Sequence, residues 1–202
     1  MFKPSLFIIA TIIALGSLVT EGSSPILIDT SGDGFSLTDA SHGVDFDLNA
    51  NGFDERVSWT SADSDDAFLA LDRNGNGTID NGTELFGNFT LQPSSPTPNG
   101  FLALAWFDDA SQGGNSDRLI SSADSVFLSL RLWIDTNHNG VSESSELHSL
   151  SSHGVEAIAL DYREMNRFDR NGNEFRYRAR VERSRGTRIG RWAWDVFLVS
   201  SP

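Results

Sequence analysis

Apolar residues fall at alternate positions over residues 174–182. Phe175, Tyr177, Ala179 and Val181 share one side of this stretch, and Arg176, Arg178 and Arg180 share the other. A repeat of two is the pattern of a strand with one buried face. Residues 44–48 (Val-Asp-Phe-Asp-Leu) and 56–59 (Arg-Val-Ser-Trp) alternate in the same way, and the Asn51-Gly52 step between them is a hairpin signal. Ile26-Leu27-Ile28 reads as a short buried strand, residues 155–162 as another, and the strongly apolar residues 192–199 as the last. The middle of the chain reads differently. Residues 101–107 are apolar and predicted helical. Ser121 or Ser122 can cap a helix over residues 123–130, with Asp124 favourable in its first turn. A further short helix is predicted from Glu143 to Leu150. Residues 90–100 hold three of the six prolines and are predicted to form a loop.

These elements predict an α+β fold, with β-hairpins and antiparallel strands at both ends and short EF-hand-like helix-loop elements in the middle. The expected organisation is a signal peptide over residues 1–24 and one domain over 25–202. Within that domain, 25–71 would carry hairpins, 72–150 the loops and short helices, and 151–202 the Arg-rich strands.

The segments between the apolar runs carry the chemistry. Asp135-Thr136-Asn137-His138-Asn139-Gly140, followed by Glu146, fits the calcium-loop pattern D-x-[DN]-x-[DN]-G-x5-E at every specified position. Ca²⁺ takes six to eight hard oxygen ligands at roughly 2.3–2.6 Å. Short Asp and Asn side chains at alternate positions of a tight loop aim their oxygens at one centre, and the closing Glu adds two more. Asp72-Arg73-Asn74-Gly75-Asn76-Gly77 is a second copy, with Ile79 at the eighth place, where paired loops join. Its closing Glu84 falls one residue late.

Three shorter versions accompany these two. Asp29-Thr30-Ser31-Gly32-Asp33-Gly34 and Asp47-Leu48-Asn49-Ala50-Asn51-Gly52 repeat the front half and lack a Glu at the twelfth place. The third runs from Asn115 through Asp117 to Asp124, with Asp108 as a first ligand and Arg118 where the glycine belongs. Its Ile120 is expected to pair with Ile79. Turn chemistry alone also favours Asp, Asn and Gly in such segments.

The charge is divided unevenly. Residues 23–160 hold 21 acidic residues against four arginines, and residues 161–202 hold six acidic residues against ten arginines. An acidic half repels itself unless cations neutralise it, and it excludes nucleic acid as its partner. Lys3 followed by an apolar run over residues 7–19 is shorter than the roughly 20 residues that span a bilayer comfortably. It therefore reads as a secretory signal, with an uncleaved anchor as the alternative. A secreted, extracellular or cell-surface location is expected, with no membrane span after signal removal. The sequence contains no cysteine, so disulfides are excluded as cross-links and bound Ca²⁺ becomes a candidate for that role.

Residues 71–87, residues 131–147 and the closing segment 190–198 together resemble the calcium module of bacterial RTX-type secreted proteins and of exported EF-hand-like proteins. The resemblance implies extracellular calcium binding. Asp72, Asn74, Asn76, Thr78, Asp80 and Glu84 would act in one loop, and Asp135, Asn137, Asn139, Val141 and Glu146 in the other. Weaker metal candidates are Asp29, Ser31, Asp33, Asp47, Asn49, Asn51, Asp108, Asn115, Asp117 and Asp124. Some RTX relatives carry a calcium-dependent self-processing module that cuts at an Asp-Pro bond. No proline in this sequence follows an aspartate, so autocleavage of that kind is not expected. The glycine-rich nonapeptide repeat of RTX β-rolls is also missing.

Enzyme signatures are sparse. The sequence lacks G-x-S-x-G, H-E-x-x-H, a P-loop and a cysteine nucleophile, and His42, His138, His148 and His153 lack zinc-ligand spacing. The carboxylate count leaves a secreted two-carboxylate hydrolase open. The expected function is a non-enzymatic, exported calcium-binding domain. The alternative is a calcium-dependent adhesin or a carbohydrate- or surface-binding module that uses exposed tryptophans. The arginine row of residues 176–180 reads as a solvated sheet face in preference to a polyanion site.

Overall fold

The structure, a computed structural model, describes residues 22–201. The expected signal peptide lies outside the described residues except for its last three positions. The chain runs through β1 (Ile26–Asp29), β2 (Val44–Phe46), β3 (Glu55–Val57) and β4 (Asp66–Ala70) into α1 (Gly100–Ala105). It continues through β5 (Leu119–Ser121), β6 (Arg131–Trp133), β7 (Leu147–Ser149) and β8 (Val155–Ala159). The last strands are β9 (Arg163–Phe168), β10 (Glu174–Arg183) and β11 (Trp192–Phe197).

Nine strands form one antiparallel sheet in the order β5-β8-β10-β11-β1-β4-β6-β7, with β9 beside β10, and β2 and β3 form a separate hairpin. The first strand is central, with Leu27 opposite Trp194 on one side and Phe68 on the other. Strands β1, β4, β6 and β11 are buried on both faces, which explains their near-continuous apolar sequences.

Ile26, Ile28, Leu69 and Leu132 point to one core, which Phe101 and Leu104 of α1 cover together with Val126, Phe127 and Leu130. Leu27, Phe68, Trp133, Trp194 and Val196 point to the other, where Val44, Phe46, Val57 and Trp59 of the hairpin region close over them. Trp59 lies 4.3 Å from Phe68 and 5.4 Å from Trp133 between ring centroids. Both tryptophans are fully buried. At about 25 cal/mol per Å² and roughly 150–250 Å² per aromatic side chain, each stabilises the fold by on the order of 4–6 kcal/mol.

The α+β expectation is overturned: the fold is mostly β, with one six-residue α-helix among the described residues. That helix and the 3₁₀ turn after it, Trp106–Asp108, occupy the segment predicted helical at 101–107. The helix predicted over 123–130 is a series of turns, and the one predicted over 143–150 is a turn followed by β7. The physical reason is that the loops are hairpin turns, with no helices flanking them. Leu71 donates its N–H to the Glu84 carbonyl at 2.8 Å, and Ile134 donates to the Glu146 carbonyl at 3.0 Å. β6 pairs directly with β7 across the Asp135 loop, Trp133 opposite Leu147. Apolar runs of four or five residues are too short to distinguish a helix from a buried strand by periodicity. The hairpin predicted around Asn51-Gly52 forms, with Val44 opposite Val57. No helix among the described residues is long and apolar enough to cross a membrane.

Candidate metal centres

Five loops share one backbone design. In each, the residues at the fourth and sixth places have positive φ: Gly32 and Gly34, Ala50 and Gly52, Gly75 and Gly77, Ser116 and Arg118, His138 and Gly140. Positive φ at Ala50, Ser116, Arg118 and His138 costs roughly 1–2 kcal/mol per residue, so the surrounding bonds must hold those turns. The aspartate at the head of each loop does this. Asp72 accepts from the amides of Gly75, Asn76 and Gly77 at 2.7, 3.2 and 2.8 Å. Asp135 accepts from Asn139 and Gly140, Asp47 from Asn51 and Gly52, and Asp29 from Ser31, Gly32 and Gly34. Asp108 accepts from Asp117 and Arg118 at 3.1 and 3.0 Å, so it heads its loop from well upstream in sequence.

Side chains at the third and fifth places continue the pattern. Asn74 and Asn76 accept from the amides of Asn76 and Thr78, Asn49 and Asn51 from those of Asn51 and Phe53, and Asn115 and Asp117 from those of Asp117 and Leu119. Asn139 accepts from Val141 at 2.7 Å. Glu84 closes its loop despite falling one residue late, taking the amides of Arg73, Asn74 and Asp80 at 2.9, 3.3 and 2.8 Å. Glu146 takes the amide and hydroxyl of Thr136, and Asp124 takes the amides of Asn115 and Ser121.

The ninth place is the residue that sequence reading used in one loop and missed in two. Asp80 receives the side-chain amides of Asn74 and Asn76 at 2.8 and 2.7 Å. Glu143, at the same place of the Asp135 loop, receives those of Asn137 and Asn139 at 3.2 and 2.9 Å. Glu55 stands there in the Asp47 loop and accepts from the Asn49 amide at 3.3 Å. Extending the Asp80 assignment along the other copies would have found both. The Asp29 loop lacks a closing acid of its own, and Asp65 supplies one from the segment before β4. The carboxylate oxygens of Asp29, Asp33 and Asp65 lie within 4.8 Å of one another.

The electrostatics fit a cation. Oε2 of Glu143, Oε2 of Glu55, Oδ1 of Asp66 and Oγ of Ser31 are enclosed without a hydrogen-bond partner. An enclosed carboxylate oxygen without a donor is expensive, and a hard cation is the partner it suits. Burial and the neighbouring Glu143 carboxyl raise the Glu146 pKa, whereas the Asn139 amide lowers that of Glu143. Burial raises the Glu55 pKa, and it pushes that of Asp66, next to Asp65, up to about 6. Asp80 sits low because Asn74 and Thr78 hydrogen-bond to it.

Two loops touch. The Ile79 amide donates to the Ser142 hydroxyl at 2.6 Å, which joins the eighth places of the Asp72 and Asp135 loops. The expected Ile79–Ile120 pairing does not form, because Ile120 lies opposite Ile158 in the β5–β8 ladder. The Asp135 loop also reaches the core: Trp59 Nε1 donates to Asp135 Oδ2 at 2.8 Å, and Trp133 Nε1 to Glu146 Oε2 at 3.4 Å. Trp59, Trp133 and Trp194 are buried, Trp192 is half-buried, and Trp106 is 42% exposed. A sugar platform built on all five tryptophans is therefore not available.

A family model described as the SPM domain matches residues 26–198. The chain is also similar to the iron-regulated protein FrpA of Neisseria meningitidis serogroup C, 37% identical over 166 residues. That alignment takes in 81% of this chain and 14% of the relative, so the chain spans only a small part of the relative's length. The family match covers the sheet and all five loops, and on it the chain belongs to the SPM domain family.

Proposed function

We propose that this chain is an exported, non-enzymatic calcium-binding domain in which Ca²⁺ rigidifies the Asp/Asn loops. The observation that carries this reading is at the Asp135 loop. Asp135, Glu143 and Glu146 all face the turn, Glu143 held by the Asn137 and Asn139 side chains, Glu146 by Thr136 and Asp135 by the Asn139 and Gly140 amides. One Glu143 oxygen is enclosed without a hydrogen-bond partner. Three carboxylates in one tight loop repel one another, and a divalent cation among them reverses the sign of that interaction. Oxygen-only ligands favour Ca²⁺ over zinc or copper. Asp72, Asn74, Asn76, Thr78, Asp80 and Glu84 form the partner site. Asn in place of Asp at the third and fifth places of both loops leaves few formal charges, so the affinity falls in the extracellular range, on the order of 10⁻⁴ to 10⁻³ M.

Calorimetric titration of the chain with Ca²⁺ tests this. Saturable heat, with the share of the Asp135 loop lost in Glu146→Gln, is the expected result. Absence of heat and of any thermal shift at millimolar Ca²⁺ would make the loops ordinary turns.

A further inference from the structure

Strands β9, β10 and β11, the Asp29 loop and residues 188–191 enclose a groove of about 580 Å³. Arg167, Arg178, Arg183, Arg188 and Arg191 line it, with Trp192 among them. In a sequence with 28 acidic residues, none of these five arginines forms an ion pair with another described residue. The pairs among the described residues are Asp39–His42, Asp45–Arg56 and Glu174–Arg176. Aromatic faces and backbone hold three of the guanidinium groups instead. Arg178 lies 4.2 Å from the Trp192 ring centroid, with its Nε enclosed and without a hydrogen-bond partner. Arg167 lies 5.4 Å from that of Phe175, and Arg183 donates to the Ile189 carbonyl. Five converging cations with unused donors repel one another, and an anion with several acceptor oxygens relieves that repulsion.

The remaining lining selects among anions. Asp29 and Asp33 stand on the groove's wall. They and the net charge of −13 oppose every polyanion in proportion to its charge density. A phosphodiester chain, charged at each nucleotide, is therefore penalised more than a uronate polysaccharide whose carboxylates are separated by neutral sugars. Sugar hydroxyls, in contrast, donate to carboxylates, and a sugar ring offers a C–H face to a half-exposed indole. We propose that this groove binds an acidic polysaccharide, the arginines taking its carboxylate or sulfate groups and Asp33 its hydroxyls. Asp33 also belongs to the candidate metal cluster with Asp29 and Asp65. A carboxylate that gives one oxygen to a cation still accepts a hydroxyl at the other, so the inference holds with that cluster filled or empty.

The test is titration of the chain with hyaluronate (carboxylated) and heparin (sulfated), followed by calorimetry and tryptophan fluorescence. Neutral dextran, polyphosphate, polyglutamate and single-stranded DNA serve as comparisons. Arg188 and Arg191 are exposed, so the double variant Arg188→Gln/Arg191→Gln keeps its fold, which circular dichroism verifies. The expected result is saturable binding of at least one acidic polysaccharide, weakened about tenfold or more in the double variant and by added salt. Dextran should not bind, and the other polyanions should bind at least about tenfold more weakly than the polysaccharide. Equal affinity for polyphosphate, polyglutamate or DNA, an unchanged affinity in the double variant, or no binding to either polysaccharide would overturn the proposal.

Discussion

The amide of Ile79 donates to the hydroxyl of Ser142 across 63 residues of sequence, and both groups are buried. The two most complete loops are thus joined by a bond from a backbone amide to a side-chain hydroxyl. Ser142→Ala leaves a buried N–H without an acceptor, which costs about 1–3 kcal/mol. Urea unfolding should show that loss, and calcium titration should change from coupled to independent sites. Wild-type stability in the variant would make the contact incidental.

Glu143→Gln should act differently in the two states. Without Ca²⁺ it relieves Glu146 of a neighbouring carboxyl and weakens the acceptor of the Asn137 and Asn139 amides, two effects of opposite sign that leave the melting temperature nearly unchanged. With Ca²⁺ it removes a ligand, and affinity at one site falls about tenfold or more. Differential scanning calorimetry with and without chelator reads both states. A variant that loses stability without Ca²⁺ and binds normally would rule out the ninth place as a ligand position.

Trp59 makes the Asp135 loop optically visible. Its Nε1 donates to Asp135 Oδ2 at 2.8 Å. An ion that draws charge from that carboxylate changes the indole's environment without exposing it. Calcium should therefore shift the tryptophan emission in proportion to occupancy, and Trp59→Phe should remove most of the change. An unaltered signal in that variant would place the reporter elsewhere.

Asp195 ties stability to pH from inside the sheet. It is fully buried, its Oδ2 accepts from the Gly100 amide, and its Oδ1 has no partner. Burial pushes its pKa from 3.8 to about 7. Between about pH 4 and 7 the native state therefore holds a proton that the unfolded chain has released. The contribution is full below pH 4, declines as pH rises, and is gone above 7. Asp195→Asn should flatten that slope and stabilise the fold at pH 8 by on the order of 2–4 kcal/mol. Denaturant midpoints across this range measure it. A slope that persists in the variant would assign the effect to another group.

The loops were legible in the sequence because their chemistry is local. Asp, Asn and Gly at fixed places dictate both the turn and the oxygens that face its centre. Asp108 was legible for the same reason, and its bonds to Asp117 and Arg118 place it at the head of its loop. The strands at both ends were legible by alternation or by continuous apolar runs. What the sequence hid was non-local. Asp65 joins Asp29 and Asp33 only through the β1–β4 pairing, and Ser142 meets Ile79 only once β4 and β6 lie side by side. Helices were expected over 123–130 and 143–150 from capping residues and short apolar runs. Val126, Phe127 and Leu130 instead reach the core from turns, and residues 147–149 pair with β6 as β7. β9, exposed along its whole length, carries no alternation that could have announced it.

The position of β1 between β11 and β4 constrains the order in which the molecule can be completed. Ile26 lies opposite Asp195, and Leu198 donates to the Ser23 carbonyl at 3.0 Å. The first described strand thus has its second edge filled only by the last described one. Until then its N–H and C=O groups stand open beside apolar side chains, and the sheet is divided between β1-β4-β6-β7 and strands not yet made. Contacts of such long sequence separation close slowly. Pairing of β1 with β11 is accordingly the step that joins the two halves of the sheet, and a change that weakens it separates β4, β6 and β7 from β8, β9 and β10.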